Sequence, residues 1–81
     1  MINEALIKIT ARTLRNVGDE GVTKSALAVL TECDIGRKIV TDEFEDALAF
    51  LKQKGFVATQ KNVYDKDVFF LTQAGKNFIA S

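Results

Sequence analysis

The sequence predicts an α+β fold that is mainly helical, with helices in the first half and a strand hairpin followed by a helix in the second. In the first half, apolar residues recur every three or four positions, which is the spacing of one helix face. In the second half, two apolar-rich runs flank a polar loop, as in an antiparallel hairpin. A chain of 81 residues has the length of one small domain, so we expect residues 1–81 to form a single unit.

Composition and charge limit the function classes. The 11 basic and 11 acidic residues cancel, so a strongly basic balance that would favour nucleic acid is absent. The chain has no His and one cysteine, Cys33, which excludes an internal disulfide, a zinc site of the usual Cys/His ligands, and Ser-His-Asp or Cys-His catalytic sets. We therefore expect no enzyme, no metal and no cofactor, and we interpret Cys33 as a structural thiol in a reducing compartment.

Targeting signals and membrane spans are not visible in the sequence. The N-terminus becomes polar within three residues and lacks the charged and then apolar order of a signal peptide. No apolar run approaches the length that crosses a membrane. We expect a cytoplasmic protein without membrane contact.

The first helix is predicted over residues 3–17, with Asn3 as its N-cap. Lys8, Arg12 and Arg15 are spaced so that they share one face of this helix. Two interpretations of that face stay open. It is either an ordinary solvated surface or a stripe that contacts phosphates.

The second helix is predicted to begin at Thr23. Val22 precedes this cap and can pack on Leu27, which is the arrangement of a hydrophobic staple. The apolar residues of this helix predict its buried face: Ala26, Leu27, Val29 and Leu30.

The third helix is predicted over residues 41–54, with Thr41 or Asp42 as its N-cap. Gly55 is a natural left-handed stop, and Phe56 can fold back on the helix as in a Schellman motif. An apolar stripe at helical spacing predicts the face that packs on the core: Phe44, Ala47, Leu48 and Leu51.

Two strands follow, over residues 56–60 and 67–71, with the polar loop 61–66 between them. Thr72 is a good cap for a final helix over residues 73–81. Helical and strand periodicity together predict a shared core of Leu6, Leu27, Leu30, Phe44, Leu48, Leu51, Phe56, Phe69 and Leu71.

Three stretches carry a resemblance to a known family. They are ALAVL in the second helix, VTDEFEDALAFLKQKGFV from the third helix into the next strand, and LTQAG after the hairpin. In this order they resemble the winged-helix variant of the helix-turn-helix, as found in small bacterial transcription regulators and in phage and prophage proteins. The resemblance covers about residues 5–80. It implies a three-helix core, a two-stranded antiparallel wing hairpin and a C-terminal helix.

The resemblance also implies how DNA would be bound. In DNA-binding members of this family the third helix enters the major groove, and the wing, here residues 61–66, touches the backbone or the minor groove. The start of the second helix, here residues 23–25, meets a phosphate. A DNA-binding regulator would make its contacts here through Lys24, Arg37, Lys38, Lys61, Asn62 and Lys66, of which Arg37 and Lys38 lie in the segment between the second and third helices. The alternative is that these are ordinary solvated charges.

The third helix departs from that pattern. Its leading half carries Asp42, Glu43, Glu45 and Asp46 and no basic residue, so arginine readout of guanine is impossible there. Phosphates also repel these carboxylates. The segment before this helix is longer than a tight helix-turn-helix turn.

Two functional hypotheses therefore remain open. The first is a transcription regulator that contacts double-stranded DNA mainly through phosphates. The second is a winged-helix module that holds a protein partner through Glu43 and Asp46. Because terminal helices often dimerise small winged helices in this family, the first helix and the last, with Phe78 and Ile79, also suggest a homodimer. The alternative is that they only close the core of one chain.

Overall fold

Helix α1 (Glu4–Val17) contacts both following helices, the last helix and the central strand of the sheet. The computed structural model describes residues 4–18 and 20–80, so the predicted cap Asn3 lies outside the described residues. Leu6 and Leu14 are fully buried, as are the side chains of Thr10 and Ala11 between them. The apolar side of α1 is therefore the surface on which the other elements pack.

A short strand, β1 (Val22–Thr23), follows α1 and was not predicted. It pairs antiparallel with β3 (Asp67–Leu71), with Val22 opposite Phe69. Gly21 makes this approach possible because it has a φ of +79°, and a β-carbon at this position would overlap the carbonyl oxygen of Phe69. The sheet therefore has three strands in the order β1-β3-β2, instead of a hairpin alone.

Helix α2 (Lys24–Ile35) begins after Thr23, whose hydroxyl accepts a hydrogen bond from the backbone N–H of Ala26. The buried residues of α2 are Leu27 and Thr31, one helical turn apart. The prediction of Val29 and Leu30 as buried residues is wrong, since they are 58% and 40% exposed. The helical period places Val29 opposite the Leu27–Thr31 face and Leu30 on the flank of that face, which agrees with the lower exposure of Leu30.

Helix α3 (Thr41–Gln53) confirms the predicted stripe, since Phe44, Ala47, Leu48 and Leu51 are all buried. Its N-cap is Val40, which has no side-chain cap, so the predicted caps at Thr41 and Asp42 are wrong. The predicted stop is confirmed. Gly55 has a φ of +77°, its N–H donates to Lys52, and the N–H of Phe56 donates to Leu51, which is the Schellman pattern.

Strand β2 (Val57–Lys61) pairs antiparallel with β3, with Val57 opposite Leu71. This register confirms the predicted hairpin, with β2 shifted by one residue. Leu71 and Val57 are buried in the core, whereas Phe56 and Phe69, which were predicted in its interior, are half-buried and pack against it.

Helix α4 (Gln73–Ala80) begins after Thr72, as predicted, and the N–H of Gly75 donates to the Thr72 hydroxyl. Ile79 is buried, and the ring of Phe78 stacks on Phe56 with centroids 4.5 Å apart. Both residues therefore contribute to the core of a single chain.

Candidate nucleic-acid interface

The outward surface of α3 is acidic over its first two turns. Asp42, Glu45 and Asp46 are exposed, and Glu43 is half-buried. The same side of the helix continues through exposed Ala49, and basic residues come only at the C-terminal end. A phosphate approaching the start of this helix would therefore meet carboxylates first.

Lys24, the first residue of α2, reaches across to this acidic surface. Its Nζ lies 2.6 Å from Oε1 of Glu45, and both side chains are 48% exposed. An ion pair this exposed stabilises a fold by about 0–1 kcal/mol. Lys24 can therefore exchange Glu45 for a phosphate oxygen at little cost in stability.

Arg37 holds the connection between α2 and α3 against the same helix. Its Nη2 donates to Oε1 of Glu43 at 3.1 Å, and its Nη1 donates to the carbonyl oxygen of Lys38 at 2.9 Å. Glu32 also supports the connection, because its Oε2 accepts a hydrogen bond of 2.8 Å from the N–H of Ile39. The long segment noted in the sequence is therefore an ordered connection.

The wing hairpin closes in a turn that Asn62 organises. Its Oδ1 accepts hydrogen bonds from the N–H groups of Tyr64 and Lys66, at 2.9 and 3.1 Å. Its own N–H donates to Lys66 O, and its carbonyl oxygen accepts from the N–H of Asp65, which has a φ of 60°. The Asn62 side chain, which was predicted to contact DNA, thus uses its oxygen inside the turn.

The wing cations are not equivalent. Lys61 lies at the end of β2, and its Nζ is 3.2 Å from Oδ1 of Asp67 on the neighbouring strand. Lys66 is exposed, and within residues 4–18 and 20–80 it takes part in no ion pair. Lys38, in the α2–α3 connection, is also exposed and takes part in no ion pair within those residues.

The structure thus divides the predicted contacts between two regions. Lys24 and Arg37 bind carboxylates at the start of α3, with Lys38 next to Arg37 in the chain. The second region is the wing, with Lys61, Asn62 and Lys66. The sequence could not reveal the pairing of Lys24 with Glu45, because 21 positions separate them and only the tertiary fold joins them.

Sequence reasoning missed two exposed apolar residues at the tip of the wing. Val63 is 93% exposed and Tyr64 is 79% exposed. The backbone N–H of Tyr64 takes part in the Asn62 turn. The missed signal was an apolar and aromatic pair inside an otherwise polar loop.

The first helix shows no arrangement comparable to the ion pairs at the start of α3. Lys8, Arg12 and Arg15 are exposed along it, and the amine of Lys8 lies 5.9 Å from the centroid of the Phe78 ring. Cys33 is exposed on α2. Among the described residues no group of three or more His, Cys, Asp and Glu side chains is arranged to hold a metal ion. None of the helices there is long and apolar enough to cross a membrane.

Three helices around one core, a wing hairpin and a closing helix give the chain a winged-helix fold. It superimposes on the crystal structure of SSV1 F-93 with a TM-score of 0.71 and 23% identity, over 91% of this chain and 78% of that one. It also superimposes on a MarR-family transcriptional regulator from Silicibacter pomeroyi, with a TM-score of 0.68 and 19% identity. That match covers 93% of this chain and 47% of the regulator, so the chain spans about half of its length.

At the level of sequence, no protein-family model matches the chain, and no curated protein matches it. The likeness to solved structures therefore establishes the fold and leaves the function to be argued from the residues.

Proposed function

We propose that this protein is a transcription regulator of the bacterial or phage type that binds double-stranded DNA mainly through phosphates and acts in the cytoplasm. The observation that carries the proposal is the position of Lys24 and Arg37. Both reach the first turns of α3 from neighbouring segments. Lys24 pairs there with the exposed Glu45, and Arg37 pairs with the half-buried Glu43 and also donates to the carbonyl oxygen of Lys38. In a winged helix this is the side expected to face DNA.

Phosphate contact follows from the energetics of these pairs. The Lys24–Glu45 pair is exposed and the Arg37–Glu43 pair is partly exposed, so both contribute little to stability and a DNA phosphate can replace the carboxylate as the partner of each cation. Lys38 and Lys66 add cations that no acid neutralises in the described part of the chain. Since α3 offers no basic residue in its leading half, base readout is weak and affinity depends on charge.

The test is a titration of a random 20-base-pair duplex with the protein at low salt, followed by fluorescence anisotropy. We expect non-specific binding with a dissociation constant in the range of about 10⁻⁴ to 10⁻⁶ M, weakening steeply as salt rises. A variant with Lys24 and Lys38 both replaced by Ala should bind the duplex more weakly than the parent, and its affinity should depend less on salt. A dissociation constant weaker than about 1 mM would rule out the regulator.

A protein-binding module is the second candidate, and the exposed carboxylate of Asp46 favours it. Among the described residues Asp46 forms no ion pair, so it is available to a basic partner. Glu43, the other residue expected to hold a partner, is half-buried and already bound by Arg37. A partner would therefore contact Asp46 directly and would reach Glu43 only by displacing Arg37.

A homodimer through the first and last helices is a further part of the proposal. Between α1, α3 and α4 lies an apolar cleft with a volume of about 210 Å³, lined by Ile7, Phe50 and Phe78 and by the charged Glu4 and Lys8. A second copy could cover this cleft. Sedimentation velocity at high micromolar concentration tests it, and a monomer there would exclude the dimer.

A further inference from the structure

Helix α2 is apolar on two sides. Leu27 and Thr31 lie on its buried face, and a second apolar stripe runs along its outer surface. This outer stripe follows the helical spacing i, i+3, i+4 and i+7 and consists of Ala26, Val29, Leu30 and Cys33. At 3.6 residues per turn its members lie within an arc of about 100°, and none of the charged residues of α2 falls inside that arc. A helix that is apolar all round is normally covered on all sides.

The outer stripe is open to solvent in one chain. Val29 is 58% exposed and Leu30 is 40% exposed, and Cys33 is exposed beside them. Next to the stripe the surface forms a shallow depression of about 220 Å³, which is lined by Val29, Glu32, Cys33, Arg37 and Lys38. Single exposed apolar side chains are common, whereas a continuous stripe with a concave border indicates a contact surface.

Most of the charged side chains from residue 20 to residue 38 are bound within the chain. The bonds join Lys24 to Glu45, Arg37 to Glu43, Glu32 to the N–H of Ile39, and Asp34 to the hydroxyl of Thr13. In the described part of the chain the side chains of Glu20 and Lys38 form no such bond. Glu20 precedes α2 and Lys38 follows it, so opposite unpaired charges lie at opposite ends of the helix.

We infer that the outer stripe is a contact surface for a second copy of this chain, with the two α2 helices packed antiparallel about a two-fold axis. The helical spacing of the stripe suits packing against another helix. An antiparallel arrangement places Lys38 of one copy at the end of the contact where Glu20 of the other lies, whereas a parallel arrangement would place like charges together. The net charge of zero leaves little repulsion between the copies.

The sizes of the side chains define the register of this contact. With the two-fold axis between Val29 and Leu30, these two branched side chains meet their counterparts at the centre. Ala26 of each copy then lies opposite Cys33 of the other. Because both residues are small, the helix axes can approach closely at the two ends of the stripe.

The contact is small. The distance from Ala26 to Cys33 along the helix is about 10 Å, so the area buried is well below the roughly 800 Å² per partner of a stable interface. We therefore expect a dissociation constant of about 10⁻⁴ to 10⁻³ M. This surface is separate from the cleft between α1, α3 and α4. If copies use both surfaces, they assemble beyond a dimer.

Disulfide trapping tests the register. Ala26→Cys adds a thiol that faces Cys33, the chain's one cysteine, across the contact. The two thiols of one chain cannot join, because Cα atoms seven residues apart on a helix are about 10 Å apart and a disulfide needs less than about 7 Å. Mild oxidation should therefore give a covalent dimer in which peptide mapping links residue 26 to residue 33. Ala49→Cys, exposed on α3, is the matched control and should give about tenfold less covalent dimer.

Sedimentation equilibrium tests the contact without a covalent bond. Between about 20 μM and about 1 mM, the average mass of the parent should rise towards that of a dimer. Val29→Glu places a charge in the outer stripe and should leave the protein monomeric over the same range. Val63→Glu is its matched control, because it adds the same charge to a valine that is 93% exposed at the wing tip, and it should associate like the parent.

Each contrary result overturns the inference. A parent that stays monomeric, together with equal trapping of Ala26→Cys and Ala49→Cys, would show that the outer stripe does not bind a second copy. If the parent associates and Val29→Glu associates equally well, the copies meet at another surface, such as the cleft between α1, α3 and α4. Links between residue 33 and residue 33 alone would contradict the antiparallel register. None of these measurements involves DNA, so the proposed regulator is tested separately.

Discussion

Gly75 lies so close to the carbonyl oxygen of Phe56 that a β-carbon on the glycine would overlap it. The same carbonyl accepts the N–H of Thr72 at 2.9 Å, and the Thr72 hydroxyl donates to Gly55 at 2.6 Å. The threonine and the glycine of the LTQAG stretch thus pack the start of α4 against the residues that end α3. The stretch that resembles the winged-helix family has a structural role here, independent of any DNA contact.

Gly75→Ala should therefore destabilise the protein, although helix propensity alone predicts the opposite. In a helix interior Ala is favoured over Gly by about 0.5–1 kcal/mol. Overlap with Phe56 and with the side chain of Leu71 should outweigh this, at a cost of about 1–3 kcal/mol. Urea unfolding decides the sign, and a variant more stable than the parent would contradict the close packing.

Thr31→Val should stabilise the protein. The Thr31 side chain is fully buried, and its hydroxyl finds no hydrogen-bond partner among the described residues. An unsatisfied buried hydroxyl costs about 1–3 kcal/mol, and Val has nearly the same shape without it. Thr13→Val is the control, because the Thr13 hydroxyl lies 2.5 Å from Oδ2 of Asp34. Thermal unfolding should raise the midpoint for the first variant and lower it for the second.

Leu48→Ala should destabilise the protein much more than Leu30→Ala, because Leu48 lies in the core and Leu30 lies on the more exposed side of α2. Leu48 is buried in the core, so its truncation should cost about 2–5 kcal/mol. Leu30 is 40% exposed and should cost much less. Denaturation curves of the two variants measure this difference. Equal losses of unfolding free energy in the two variants would mean that Leu30 belongs to the core, as the sequence predicted.

The case of α2 shows where sequence patterns stop being informative. Helix α3 has apolar residues on one side and charges on the other, so both its buried face and its stop at Gly55 were predicted correctly. In α2 the stretch ALAVL is apolar all round, and periodicity alone cannot select a face. Strand β1 is two residues long, and it is defined by its partner β3 instead of by its own sequence.

The candidate site was predictable to a similar degree. Residue type and resemblance identified the cations, but their partners depend on contacts between segments distant in sequence, such as Lys24 with Glu45. The geometry of the Asn62 turn likewise depends on hairpin register, so the exposure of Tyr64 could not be derived beforehand. The structure therefore added the pairing of charges and the apolar wing tip.

Asp46→Asn should tighten binding to random duplex DNA by about two- to fivefold, since it removes one negative charge from the surface that we propose faces phosphates. Glu4→Gln is the matched control, because it removes an exposed carboxylate from α1 and leaves α3 unchanged. Anisotropy titrations at one low salt concentration compare the two. An equal gain in both would mean that net charge alone matters, and weaker binding to a protein partner by Asp46→Asn would favour the interaction module.

The last prediction concerns the two wing lysines, which the structure shows in different states. Lys66 forms no ion pair within the described chain, whereas Lys61 is bound to Asp67. If Lys66 contacts a phosphate, Lys66→Ala should lower the slope of log affinity against log salt by about 0.9. Lys61→Ala should change that slope less, because its charge already faces a carboxylate.

Asp67→Asn completes this comparison by releasing Lys61 without altering any cation. The slope should then rise by about 0.9 if the freed amine reaches a phosphate. Each substitution lies on an exposed part of the hairpin, so circular dichroism should confirm that the fold is unchanged. Slopes that stay equal in all three variants would show that the wing makes no phosphate contact, and binding would then depend on Lys24, Arg37 and Lys38.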